Sequence, residues 1–345
     1  MTKRPKDTSS GCMWPLLVCI FTLLLFTAFR GFIQLSWMLA LPLALVLSVL
    51  LTRLLLGAPS TRRLFANAVI ILMVFAGVYW GFQQILGILR TLHVTQNETF
   101  NAEEAVAPSQ LVIDNDTIVV YESHRYWTDN YGNNYNGYLR VREADYLALR
   151  NHIANYRIPP GNFWGNLYDY IDRTDSPKLD LLLQTFQEVG NTYRLNPREF
   201  AEMVVSCVQD IPYSFVFEEA CLPPQRYESS IRKILLECPE CCIGNIPYGI
   251  QNPVSFIQNL KGDCDTRTVL IYSILKHFNY DVAILNSDFY RHSIIGLNLP
   301  GSGKHKVHNG KRYYVWETTA PYFELGSLPY NFNDITHWDV ILTSK

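Results

Sequence analysis

The sequence predicts an α+β fold behind three N-terminal transmembrane helices. Three observations predict it. Long apolar stretches occupy about Cys12 to Phe29, Phe32 to Leu56 and Leu64 to Leu89, each near the roughly 20 residues that span a bilayer. Helical signals follow at Pro177 to Arg194, at Asn196 to about Gln209 and at Val269 to Phe278. Runs of strand character come last, at Arg291 to Leu297 and at Tyr313 to Thr319.

At 345 residues the chain has room for one or two domains. Three parts are expected: residues 1–92 as a membrane anchor, 93–176 as a linker and small β-rich segment, and 177–345 as the main domain, with a cysteine-rich insertion at 221–250. Pro42 lies mid-span in the second stretch and kinks it. Lys3, Arg4 and Lys6 precede the first stretch, and Arg53, Arg62 and Arg63 lie at or in the second loop, against Arg30 alone in the intervening turn. The positive-inside rule then makes this an integral membrane protein with everything after Arg90 outside the cytoplasm. A net charge of −2 gives no electrostatic footing for nucleic-acid binding.

Taken in order, His93 to Gln110 is a polar linker, and Leu111 to Tyr121 reads as a hairpin about Asn115-Asp116. Tyr126 to Tyr138, dense in Tyr and Asn with Gly132 and Gly137, suggests turns and reads as an ordinary decorated hairpin, or else as a binding surface. Arg142 to Arg157 reads as a helix stopped by Pro159 and Pro160. Asp175-Ser176-Pro177 starts the next helix, and Asn196 caps the one after. Cys207 on that helix reads as core. Cys221, Cys238, Cys241 and Cys242 read as disulfides stapling a long loop in one of three connectivities, or as a four-thiolate zinc site. His305 and His308 fall in the glycine-rich connection Gly301 to Gly310 and read as solvated loop, so no cofactor and no metal is expected.

The chemistry centres on Lys261 to Thr268. Gly262 permits a turn, Asp263 caps a buried helix, and Cys264 falls in its first turn. Free backbone N–H groups and the helix dipole favour a thiolate there, whereas Asp263 and Asp265 oppose it, so an imidazolium is needed nearby. His292 opens one strand and Glu317 ends the next. Cysteine, histidine and carboxylate in that order suit a nucleophile, a base and an orienter.

These segments resemble the transglutaminase-like superfamily over roughly residues 177–340. The resemblance rests on Gly262-Asp263-Cys264-Asp265, Phe278 to Leu285, the His292 strand, Trp316-Glu317-Thr318-Thr319, Val208 to Tyr213 and Asn252 to Phe256. It implies helices packed on an antiparallel sheet, with Cys264 as nucleophile, His292 as base and Glu317 as third member. The family usually has Asp at that third position, and often an aromatic where Ile294 stands. The implied activity is a membrane-anchored cysteine hydrolase, a peptidase or amidase, acting on protein or peptide carboxamides through a thioester. The alternatives are transglutaminase-type acyl transfer to amines and a catalytically idle, membrane-tethered binding module.

Overall fold

The computed structural model describes residues 13–31, 37–57, 105–113 and 115–345. They fall into two compact units, Met1–Leu89 and Arg90–Lys345.

The first unit contains helices α1 (Met13–Gly31) and α2 (Trp37–Leu56). Ala44, Ser48 and Thr52, spaced at i, i+4 and i+8, form a buried stripe of small side chains along α2. The Thr22 and Ser48 hydroxyls join the two helices at 2.7 Å, and the Trp14 indole donates to the Gly57 carbonyl at 3.2 Å. Among the described residues no helix is long and apolar enough to cross a membrane. This corrects the expectation of three transmembrane helices, and with it that of an integral membrane protein. Helix α1 is 19 residues long and ends at Arg30-Gly31, and α2 is 20 residues long with Pro42 inside it and Arg53 in its last turn. The third expected span, Leu64 to Leu89, lies outside the described residues.

The second unit is α+β. It opens on an antiparallel meander of β1 (Ala107–Ile113), β2 (Asp116–Thr128) and β3 (Asn134–Arg142). Asn115 takes a left-handed φ of 71° in the first hairpin, as its Asn-Asp signal predicts. The Tyr/Asn-rich stretch is largely strand: only residues 129–133 turn, and Trp127 and Tyr135 are buried. Helices α3 (Glu143–Leu149), α4 (Phe163–Asp175), α5 (Asp180–Tyr193) and α6 (Pro197–Gln209) follow. Asn196 and Glu199 form a reciprocal capping box on α6. Trp127 on β2 donates to the Met203 carbonyl of α6 at 3.0 Å, so meander and helices share one core.

Next come β4 (Phe215–Val216), α7 (Ser229–Glu237) and β5 (Cys242–Ile243), the last pairing parallel with β4. Disulfides join Cys221 to Cys242 and Cys238 to Cys241, so all four sulfurs are bonded to one another and none is left as a thiolate for zinc. Helix α8 (Pro253–Asn259) leads into α9 (Cys264–His277).

The chain then lays down β6 (Val282–Ser287), β7 (His292–Leu297), β8 (His305–His308), β9 (Lys311–Trp316) and β10 (Asp339–Thr343). They form one antiparallel sheet in the order β10-β6-β7-β9-β8. Because strand side chains alternate faces, Val282, Ile284, Ile295, Leu297 and Trp316 pack in the core with the apolar face of α9. Ala283, Leu285, Ile294, Tyr313 and Val315 take the other face, under Leu328 and Trp338 of the C-terminal segment. A sheet covered on both faces explains why these strands read as continuous apolar runs. His305 and His308 lie on strand β8, not in a loop.

Candidate active site

Helix α9 begins at Cys264. The Asp263 side chain accepts a hydrogen bond from the Thr266 N–H at 3.1 Å and caps it. Gly262 is required here by close packing: a Cβ would approach Thr266 Cγ2 at 2.8 Å and the Phe256 ring at 3.0 Å. The Cys264 side chain is 7 % exposed and lines a cleft of about 630 Å³ together with Tyr213, His292 and Phe332.

The sheet delivers the other two predicted residues. Ile295 of β7 pairs with Trp316 of β9, so one residue beyond, Glu317 emerges on the face that carries His292. His292 Nε2 meets Glu317 Oε2 at 3.0 Å. The same carboxylate, fully buried, accepts from the Thr318 N–H at 3.0 Å, the Thr319 N–H at 2.8 Å and the Thr319 hydroxyl at 2.6 Å. With Nε2 engaged by Glu317, Nδ1 is the ring nitrogen left for a partner in the cleft that Cys264 also lines. Phe332 stacks on the imidazole at 4.9 Å and Trp338 meets it edge-on at 6.0 Å, so both faces of its orientation are fixed. Ile294, the position of the expected aromatic, is buried under the C-terminal segment. Tyr290 and Phe332 supply the cleft wall instead.

The electrostatics follow from this burial. Desolvation works against a charged imidazole, but the Glu317 carboxylate and then the Cys264 sulfur raise the His292 pKa well above its ordinary value. Burial also opposes the Glu317 charge, yet the imidazolium and the threonine donors pull its pKa down to about 2. For Cys264, burial and then the Asp265 carboxylate push the thiol up, and His292 only partly offsets them. The surroundings thus favour the charged form of His292, while burial and Asp265 oppose the charged form of Cys264.

Four further residues build the site. Tyr213 lines the cleft together with Cys264. Tyr213 is held next to the cysteine loop by a bridge to Gly262, with the Arg267 guanidinium 5.6 Å from its ring centre. Arg267 itself is fully buried and donates to three carbonyls: Gly262 at 3.0 Å, Val208 at 2.9 Å and Pro212 at 2.6 Å. Gln209 Nε2 donates to the Glu317 carbonyl at 2.6 Å. Tyr168 donates to the Asp265 carboxylate at 2.5 Å, drawing charge away from the Cys264 sulfur. Arg267 stands out in the sequence as a charge inside an otherwise apolar helix. The other three depend on contacts far apart in the chain.

No family model, curated protein or solved structure matches the chain.

Proposed function

We propose that this chain is a cysteine-dependent hydrolase of the transglutaminase-like type that cleaves protein or peptide carboxamides. The observation that carries the reading is the cleft that Cys264 and His292 line together, with His292 Nε2 held by the buried Glu317 carboxylate at 3.0 Å. A purely structural cysteine has no use for an oriented imidazole whose second nitrogen is held by a buried acid. Two disulfides fit an oxidising compartment.

In this mechanism the Cys264 thiol proton passes to His292 Nδ1, leaving thiolate and imidazolium. The sulfur attacks the carboxamide carbon, and the carbonyl electrons move onto oxygen. The Cys264 backbone N–H and the Tyr213 hydroxyl hydrogen-bond that oxyanion. His292 protonates the leaving amine as the C–N bond breaks, which leaves a thioester. His292 then takes a proton from water, the hydroxide attacks the thioester, and the acid departs with the thiol restored. Glu317 holds the ring so that Nδ1 faces the sulfur throughout.

The test is iodoacetamide alkylation of Cys264 across pH 5 to 10, mapped by mass spectrometry on wild type and His292→Ala. His292 is the partner that lowers the thiol pKa. Its removal therefore moves Cys264 alkylation to higher pH. An unchanged profile would contradict the pairing.

A further inference from the structure

The cleft wall beside Cys264 is built by the disulfide-closed segment between Cys221 and Cys242. Its helix α7 turns Ile231 and Ile234 into the cleft, next to Phe215 and Phe217. Behind them Leu235, Cys238 and Cys241 form a small core of their own. Backbone bonds from Phe215 N–H to the Cys241 carbonyl and from Phe217 N–H to the Ile243 carbonyl, both 2.8 Å, tie the wall to the main domain. The opposite side presents Tyr290 and Phe332. At the mouth, Arg291 and Glu228 face each other at 3.6 Å and neutralise one another. Beyond that pair the cleft lining carries Asp210, Asp263 and Asp265 against His292, a balance that disfavours an anionic side chain.

We infer that the acyl donor is a polypeptide carrying a bulky, uncharged apolar side chain at the residue whose carbonyl Cys264 attacks, and that the Cys221–Cys242 segment selects it. The inference rests on the hydrolase reading above. The wall is apolar on two sides and closed by a charged pair, so it accepts one aliphatic or aromatic side chain and stops a long alkyl tail at Arg291 and Glu228. Its rigidity comes from two disulfides and a private core, which lowers the ordering cost of binding.

The experiment uses the full chain and three fluorogenic aminocoumarin amides, N-acetylated on phenylalanine, alanine or aspartate. Wild type is expected to favour phenylalanine over alanine by about tenfold or more in kcat/KM, with aspartate below alanine. The double variant Ile231→Asn/Ile234→Asn is expected to bring the phenylalanine-to-alanine ratio close to one. The control Leu236→Asn, on the exposed side of the same helix, leaves that ratio as in wild type. Should the double variant not fold, Ile231→Glu alone serves, with an arginine amide gaining on phenylalanine. Equal cleavage of phenylalanine and alanine by wild type overturns the inference while leaving the hydrolase reading intact. Acetylation of wild-type Cys264 by p-nitrophenyl acetate, which has no side chain to select, checks that reading separately, and its failure overturns both.

Discussion

Glu317→Gln isolates the contribution of one buried charge. The amide keeps the shape of the side chain, and its oxygen can still accept from Thr318 and Thr319, whose donors lie 2.6 to 3.0 Å from the native carboxylate. What disappears is the charge facing His292. The Glu317 pKa is about 2 against an ordinary 4.5. At 1.36 kcal/mol per unit, that depression corresponds to about 3 kcal/mol of folding stability. A depressed carboxylate stabilises fully above its unfolded pKa and loses that contribution as pH falls through the folded value. The wild-type advantage is thus complete at pH 7 and fades between about 4.5 and 2. The raised His292 pKa describes the same interaction from the other side and is not added to it. The variant also donates its amide N–H to Nε2, placing the ring proton on Nδ1, where the thiol needs an acceptor. Turnover is then expected to fall about 10⁴-fold. Urea unfolding at pH 7 and pH 3, with an NMR titration of His292, reads both effects. If Glu317→Gln matched wild type at pH 7 and His292 titrated at the same pH as before, the buried ion pair would not be the element that orients the site.

Three further outcomes follow from single contacts. Asp265→Asn removes the charge that, after burial, most raises the Cys264 thiol, so alkylation of Cys264 is expected at lower pH than in wild type. Tyr213→Phe is expected to lower acyl transfer about 10²-fold while leaving the rate of iodoacetamide alkylation in place, because alkylation forms no oxyanion. Comparing those two rates separates a donor from a packing residue. Arg267→Met removes a donor from three carbonyls; Gly262 and Val208 keep the Ser214 and Ile211 N–H groups, so the cost falls mainly on Pro212, at about 1–3 kcal/mol, and urea midpoints will show the loss.

Local chemistry made the core of the site readable. Asp263 caps its helix because a short acceptor before an apolar run has that use. His292 and Glu317 were found because each sits at the end of a strand-like run. The Asn115 hairpin and the Asn196 cap were legible for the same reason. What the residues could not reveal was long-range. Tyr213 reaches the cleft only because Arg267 and Gly262 hold it there, and Tyr168 meets Asp265 across 97 residues. Tyr126 to Tyr138 is the decorated hairpin its Asn and Gly content suggests, turning at residues 129–133, but the burial of Trp127 and Tyr135 against the helices depends on distant contacts. The N-terminal stretches looked long enough to span a membrane because average hydropathy counts through interruptions. The helices themselves end at Gly31 and Leu56, and among the described residues none is long and apolar enough to cross a membrane.

The most direct test of the central claim is to trap the acyl-enzyme. Wild type, Cys264→Ala and His292→Ala would be mixed with p-nitrophenyl acetate and quenched in acid, and the acetylated residue located by mass spectrometry. Cys264 acetylated in wild type, absent in Cys264→Ala and strongly slowed in His292→Ala is the predicted result. Acetyl groups found only on lysines, or on Cys264 at the same rate without His292, would contradict it.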